Sequence, residues 1–175
     1  MLLWRYLIFR MPKGILSTLL PLHIGLYVKK GGSSVTPSAP PEVAALRTTV
    51  LFIDDNPADL DFWSQGLREC SSAYSTLTAT DIKSGLHLYQ SQKVDCVILD
   101  LDLSGESGFE ALTKLVPDRH QPSIPVVVLT KLPYPNLHDM VLHNGAIACL
   151  HKRQHSAKDL EKAIQQGMAS IAATS

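Results

Sequence analysis

Paired or metal-spaced cysteines are missing from this 175-residue chain. Cys70, Cys96 and Cys149 stand far apart, and no two have the spacing of a zinc finger. An odd count argues against a disulfide framework, so reduced and mostly buried thiols are expected. A long hydrophobic run is missing too. Gly14–Val28 covers 15 residues, is broken by Pro21 and His23, and falls short of the roughly 20 residues that span a bilayer. Arg5, Arg10 and Lys13 before it, and Lys29 and Lys30 after it, give no orientation signal. No small-x-small cleavage site follows it directly. Finally, there is no basic stripe. Residues 49–175 hold ten Lys/Arg against fifteen Asp/Glu, while residues 1–48 hold six bases against Glu42 alone. A mildly acidic main domain argues against direct nucleic-acid binding.

What is present divides the chain in three. Residues 1–28 form an apolar, basic leader. It can be read as a membrane anchor, as a targeting segment, or as translation from a start codon upstream of the structural part. The last is preferred, because the run is too short and too broken to span, so membrane contact by the leader is not expected. Residues 29–46 open with KKGGSSVTPSAPP, whose Gly, Ser and Pro content marks a flexible linker. Residues 47–170 form the folded domain. With 45% hydrophobic residues the chain can build one core.

Inside that domain, short apolar runs alternate with helical patterns. Val50–Ile53, Ser75–Ala79, Cys96–Leu99, Pro125–Leu129 and Ile147–Leu150 read as strands. Pro57–Glu69 carries Leu60, Trp63 and Leu67 at helical spacing, with Pro57 suited to a first turn. Asp81 can cap a helix reaching about Ser91. Phe109, Leu112 and Leu115 mark a third helix, and Leu137–Asn144 a fourth that Gly145 can end. Leu160, Ala163, Ile164 and Met168 line the last. Continuous apolar strands are buried on both faces, and strict alternation implies a parallel sheet with right-handed crossovers. The expected fold is therefore α/β: a flavodoxin-like, doubly wound, five-stranded parallel sheet of order 2-1-3-4-5 with helices on both faces.

On that frame Asp54 and Asp55 end strand one, Asp100 ends strand three, Thr130 ends strand four and Lys152 follows strand five. Strands one and three are neighbours, about 4.8 Å apart, so three carboxylates converge and repel. A hard cation relieves this, and an oxygen-only ligand set with room for water suits Mg²⁺. A hydroxyl and an ammonium beside such a cluster make a site for a phosphoryl group. Asp100 is then the nucleophile, giving an acyl phosphate. Taken singly, each residue has an ordinary reading: an acid after a strand is usually a turn or cap residue, and Asp59 and Asp102 are by default surface acids. The joint arrangement at one sheet edge favours the functional reading.

These stretches resemble the receiver domain of response regulators, the acceptor half of two-component signalling. The resemblance rests on Val50-Leu51-Phe52-Ile53-Asp54-Asp55-Asn56, Val97-Ile98-Leu99-Asp100-Leu101-Asp102-Leu103 with Gly108, Val127-Val128-Leu129-Thr130, and Gly145-Ala146 followed by Lys152. It implies that Asp100 accepts phosphate from the phosphohistidine of a histidine kinase or phosphotransfer protein. It implies Mg²⁺ held directly by Asp55 and Asp100, by Asp54 partly through water, and by the backbone carbonyl of Asp102. Thr130 and Lys152 would contact the phosphoryl oxygens, with Thr130 moving inward on phosphorylation. Such a domain is a phosphoacceptor rather than an enzyme, is cytoplasmic, and leaves open a homodimer. No effector segment follows the last helix, so output is expected by protein contact with a downstream target that the sequence does not name.

Three positions depart from the family pattern. Lys131 follows Thr130 where a small residue is usual. A Lys131→Ala variant is accordingly expected to differ from the parent in phospho-lifetime, followed by loss of label after donor removal; equal lifetimes would contradict this. Cys149 stands where the family has a switch aromatic, and a thiol cannot swing as a large ring. Lys152-Arg153 replaces Lys-Pro, so the peptide bond there is expected either trans with a shifted loop or cis at a cost of about 2.5–4 kcal/mol. Two alternatives remain open at this stage. One is a binding module of the same fold that is never phosphorylated. The other is a haloacid-dehalogenase-type phosphatase, which Asp100-Leu101-Asp102 resembles. That family places its paired metal-binding acids after its lysine, whereas Asp54-Asp55 come first here.

Overall fold

The computed structural model describes residues 47–105 and 107–174. The leader and linker assigned from sequence to residues 1–46 lie outside the described residues. Strand and helix alternate throughout: β1 (Thr48–Ile53), α1 (Pro57–Cys70), β2 (Tyr74–Ala79), α2 (Ile82–Ser91), β3 (Cys96–Leu99), α3 (Gly108–Leu115), β4 (Val126–Thr130), α4 (Leu137–His143), β5 (Ala148–His151) and α5 (Ala157–Thr174). The strands are parallel, in the order β2-β1-β3-β4-β5. This is the architecture expected from the alternation of apolar runs.

Period-two alternation along each strand builds two cores from one sheet. Leu51, Ile53, Val97, Leu99, Val126 and Val128 face α2, α3 and α4, where they meet Ile82, Ala111, Leu112, Leu115, Leu137 and Val141. Val50, Phe52, Cys96, Ile98, Val127 and Leu129 face the other way, against Leu60, Trp63 and Leu67 of α1 and Leu160, Ala163 and Ile164 of α5. Helices on both faces explain why β3 and β4 read as uninterrupted apolar runs.

Local chemistry sets the helix starts. The Asn56 side chain accepts from the Ala58 and Asp59 N–H groups, and Pro57 occupies the first turn of α1. Asp81 accepts from the Ser84 N–H at 2.7 Å to cap α2, as the sequence predicts. At α5, Asp159 accepts from the Ser156 N–H at 2.8 Å while the Ser156 hydroxyl accepts from the Asp159 N–H, a reciprocal capping box. Gly145, at φ 94°, follows α4 in the left-handed region that a glycine tolerates. Cys96 is buried, Cys70 and Cys149 are half-buried, and all three are unpaired. Among the described residues, no helix is long and apolar enough to cross a membrane.

Candidate functional site

Sheet register brings the acids together before any side chain is considered. Ile53 pairs with Leu99 across β1 and β3, so the next residues, Asp54 and Asp100, leave the sheet side by side. The Asp100 N–H donates to the Ile53 carbonyl at 2.9 Å, and the Asp54 N–H to the Ala79 carbonyl at 3.1 Å. Both carboxylates are buried at the C-terminal edge. On the far side Thr130 pairs with His151, and the Lys152 N–H donates to the Thr130 carbonyl at 2.9 Å. That bond carries Lys152 out over the same rim.

The Lys152 ammonium sits among the acids. Its Nζ lies 2.5 Å from Asp54 Oδ2, 2.5 Å from Asp100 Oδ2 and 2.9 Å from Asp59 Oδ2. Its side chain is only 2% exposed. Burial works against the charged form, but the hydrogen bonds to Asp100, Asp54 and Asp59 outweigh it and hold Lys152 above its ordinary value. The remaining acceptor atoms are also engaged: Asp100 Oδ1 accepts from the Asp102 N–H at 3.0 Å, and Asp54 Oδ1 from the Asn56 N–H at 3.0 Å. Burial pushes the Asp54 carboxyl up, against the pull of Lys152.

Asp59 is not a surface acid of the default kind. From the first turn of α1 it points back over the sheet edge, its Oδ2 shared by Lys152 and by Lys131 at 2.7 Å. One carboxylate oxygen each from Asp54, Asp59 and Asp100 falls within 4.8 Å of the others. No local signal marked this role, since Asp59 reads as an ordinary acid in the first turn of a helix.

The other assigned residues are distributed around this cluster. Asp55 lies apart from it. Its Oδ2 accepts from the Ser104 N–H at 2.7 Å, tying β1 to the loop after β3. The Ser104 bonds hold its carboxyl below the usual range. Asp102 is exposed. Thr130 is buried, and its hydroxyl accepts from the Leu132 N–H at 3.3 Å. Cys149 is half-buried against the α2–α3–α4 core, and burial raises its thiol.

No peptide bond among the described residues is cis, so Lys152-Arg153 takes the trans alternative. Imidazoles hold the loop where the family has proline. His155 Nδ1 accepts from the His151 N–H at 3.0 Å, and His151 Nδ1 accepts from the Arg153 N–H at 3.2 Å. Lys152 still reaches the acids. The oxygen-only donor set of Asp54, Asp59 and Asp100, with Asp55 on the same rim, fits a hard divalent cation.

Comparison with known proteins agrees with this fold. The profile of the response regulator receiver domain matches residues 50–165. A probable cyclic di-GMP phosphodiesterase of Vibrio cholerae is 30% identical over 104 residues, which cover 59% of this chain and 23% of that protein. The chain thus spans under a quarter of that curated relative. A CheY-like receiver domain from Methanospirillum hungatei superposes with a TM-score of 0.62 at 24% identity, covering 74% of this chain and 99% of that one. A Burkholderia pseudomallei response regulator, solved with a phosphorylated aspartic acid, calcium ion and citrate, gives a TM-score of 0.60 at 24% identity, covering 73% of this chain and 72% of that one. At these identities the structural likeness is one of fold.

Proposed function

The chain belongs to the response regulator receiver domain family, and from that premise we propose that it accepts a phosphoryl group on Asp100 from a phosphohistidine donor. The observation that carries this reading is the Asp100 carboxylate itself: buried at the end of β3, beside Asp54, with the Lys152 ammonium 2.5 Å away. A carboxylate oxygen of Asp100 attacks phosphorus in line, the P–N bond to the donor imidazole breaks, and the electron pair leaves with that imidazole. Lys152 offsets charge on the phosphoryl oxygens, and the Thr130 hydroxyl, one peptide link from Lys131, donates to them after giving up its bond to Leu132.

Mg²⁺ would be held by Asp54, Asp55, Asp100 and the Asp102 carbonyl, and supplies further neutralisation when bound. Asp55 would have to release its bond from the Ser104 N–H to join that set. Phosphorylation of Asp100 removes one acceptor from Lys152 and adds phosphoryl oxygens above it, so the loop after β4 has reason to close. Output then passes by contact with a protein partner. The donor is a histidine kinase or phosphotransfer protein, and the site works in the cytoplasm.

Incubation with acetyl phosphate and Mg²⁺, followed by intact mass, tests the reading. The parent is expected to gain the mass of one phosphoryl group, and Asp100→Asn to gain none. No gain in the parent, or a gain that survives Asp100→Asn, overturns it.

A further inference from the structure

Two ammonium groups, not one, stand at the acid cluster. Asp59 Oδ2 holds Lys131 Nζ at 2.7 Å and Lys152 Nζ at 2.9 Å. One oxygen each from Asp54, Asp59 and Asp100 lies within 4.8 Å of the others, but the Asp59 oxygen is taken by both ammonium groups, so a cation can use it only if a lysine lets go. The two lysines differ in what they can give. The Lys152 side chain is 2% exposed and tied to three carboxylates. The Lys131 side chain is 37% exposed and tied, among these acids, to Asp59 alone. An ammonium with access to water regains hydration when it lets go, whereas a buried one does not.

We propose that Lys131, clasped by Asp59, is an internal competitor of the divalent cation: the cation binds as Lys131 releases Asp59, and the clasp sets metal affinity. The inference rests on the reading that this cluster takes Mg²⁺. Lys131 is a positioning residue here, acting through Asp59 rather than on the reacting atoms. Asp59 is the exchangeable carboxylate: lysines hold it without metal, and on their release it adds to the Asp54, Asp55 and Asp100 set around the cation. This gives the residue after Thr130 a defined task in this chain, and the acid in the first turn of α1 a matching one.

Calorimetric titration of the full chain with MgCl₂ alone, without phosphodonor, tests the clasp. Lys131→Ala is expected to bind Mg²⁺ about tenfold more tightly than the parent, as one like charge leaves the site. Lys131→Arg, which can keep the pair with Asp59, is expected to stay near the parent. Asp59→Asn is expected to bind more weakly. In the Asp59→Asn background, Lys131→Ala is expected to change affinity about twofold or less, because the coupling runs through the missing carboxylate. Equal affinities in parent and Lys131→Ala, or the same gain with and without Asp59, overturn the proposal. Absence of Mg²⁺ binding in a parent that gains phosphoryl mass from acetyl phosphate overturns the clasp and leaves the phosphoacceptor reading. The expected affinity shifts in a chain that gains no phosphoryl mass support the clasp and remove that reading.

Discussion

Replacing Lys152 by methionine is expected to lower stability at neutral pH by about 3–5 kcal/mol, the usual cost of stripping one partner from a buried ionic cluster. Methionine keeps much of the stem's volume, so the loss is electrostatic rather than a cavity effect. Asp54 and Asp100 are buried side by side, and Lys152 is the cation that touches both. The sign with pH follows from linkage. In the parent, Lys152 is held above its ordinary value of 10.5 by its carboxylate partners despite burial. Its contribution is therefore complete below 10.5 and is lost only as the pH rises through the folded value. The variant lacks that contribution at every pH. Its clustered carboxylates favour the protonated form, so its native state binds more protons than its unfolded state, and stability rises as the pH falls from 7 toward the carboxylate range. Mg²⁺ is expected to recover part of the loss by binding the native state. Denaturant titration at pH 7 and pH 5, with and without Mg²⁺, measures all three effects; parent-like stability at pH 7 would show that the cluster is not held by Lys152.

The second large effect is expected at Gly108. This residue starts α3 directly beneath the loop that carries Asp100 and Asp102. A Cβ there would meet the backbone of that loop: the Leu101 Cα, the Leu101 carbonyl oxygen at 2.8 Å and the Asp100 carbonyl oxygen at 2.9 Å. Backbone cannot rotate away as a side-chain tip can, so α3 or the loop must shift. Gly108→Ala is expected to cost about 2 kcal/mol net. Overpacking costs about 1–3 kcal/mol, and the gain in helix propensity returns at most about 1. Because the loop moves with it, phosphorylation by acetyl phosphate is expected to slow in the same variant. Gly66→Ala is a useful comparison. There the added carbon meets only the Ala157 Cβ, at 2.9 Å and away from the acids, so stability can fall without a change in phosphorylation rate. An unchanged rate in Gly108→Ala would separate the helix start from the site.

Much of this was legible without coordinates. Apolar runs at Val50–Ile53 and Cys96–Leu99, each closing on an acid, specify both the strands and the sheet edge on which chemistry collects. They do so because strand period and burial are written in the order of side chains. Asp81 as a cap and Gly145 after α4 were legible for the same reason: each acts on its own few residues.

Asp59 was not legible, because its partners Lys131 and Lys152 come from the ends of β4 and β5, far along the chain. Nor could the sequence place the loop after Lys152: its bond to Arg153 is trans, the default before a non-proline, and the loop's path depends on imidazole acceptors at His151 and His155 meeting particular backbone N–H groups. By itself the sequence determined the alternation, the strand order expected from it, and the placing of Asp54 and Asp100 at the rim. Only the tertiary structure decided which ammonium touches which carboxylate. That depends on distances of a few ångströms between strands and helices remote in sequence, and charge pairing at that range is set by position rather than by order along the chain.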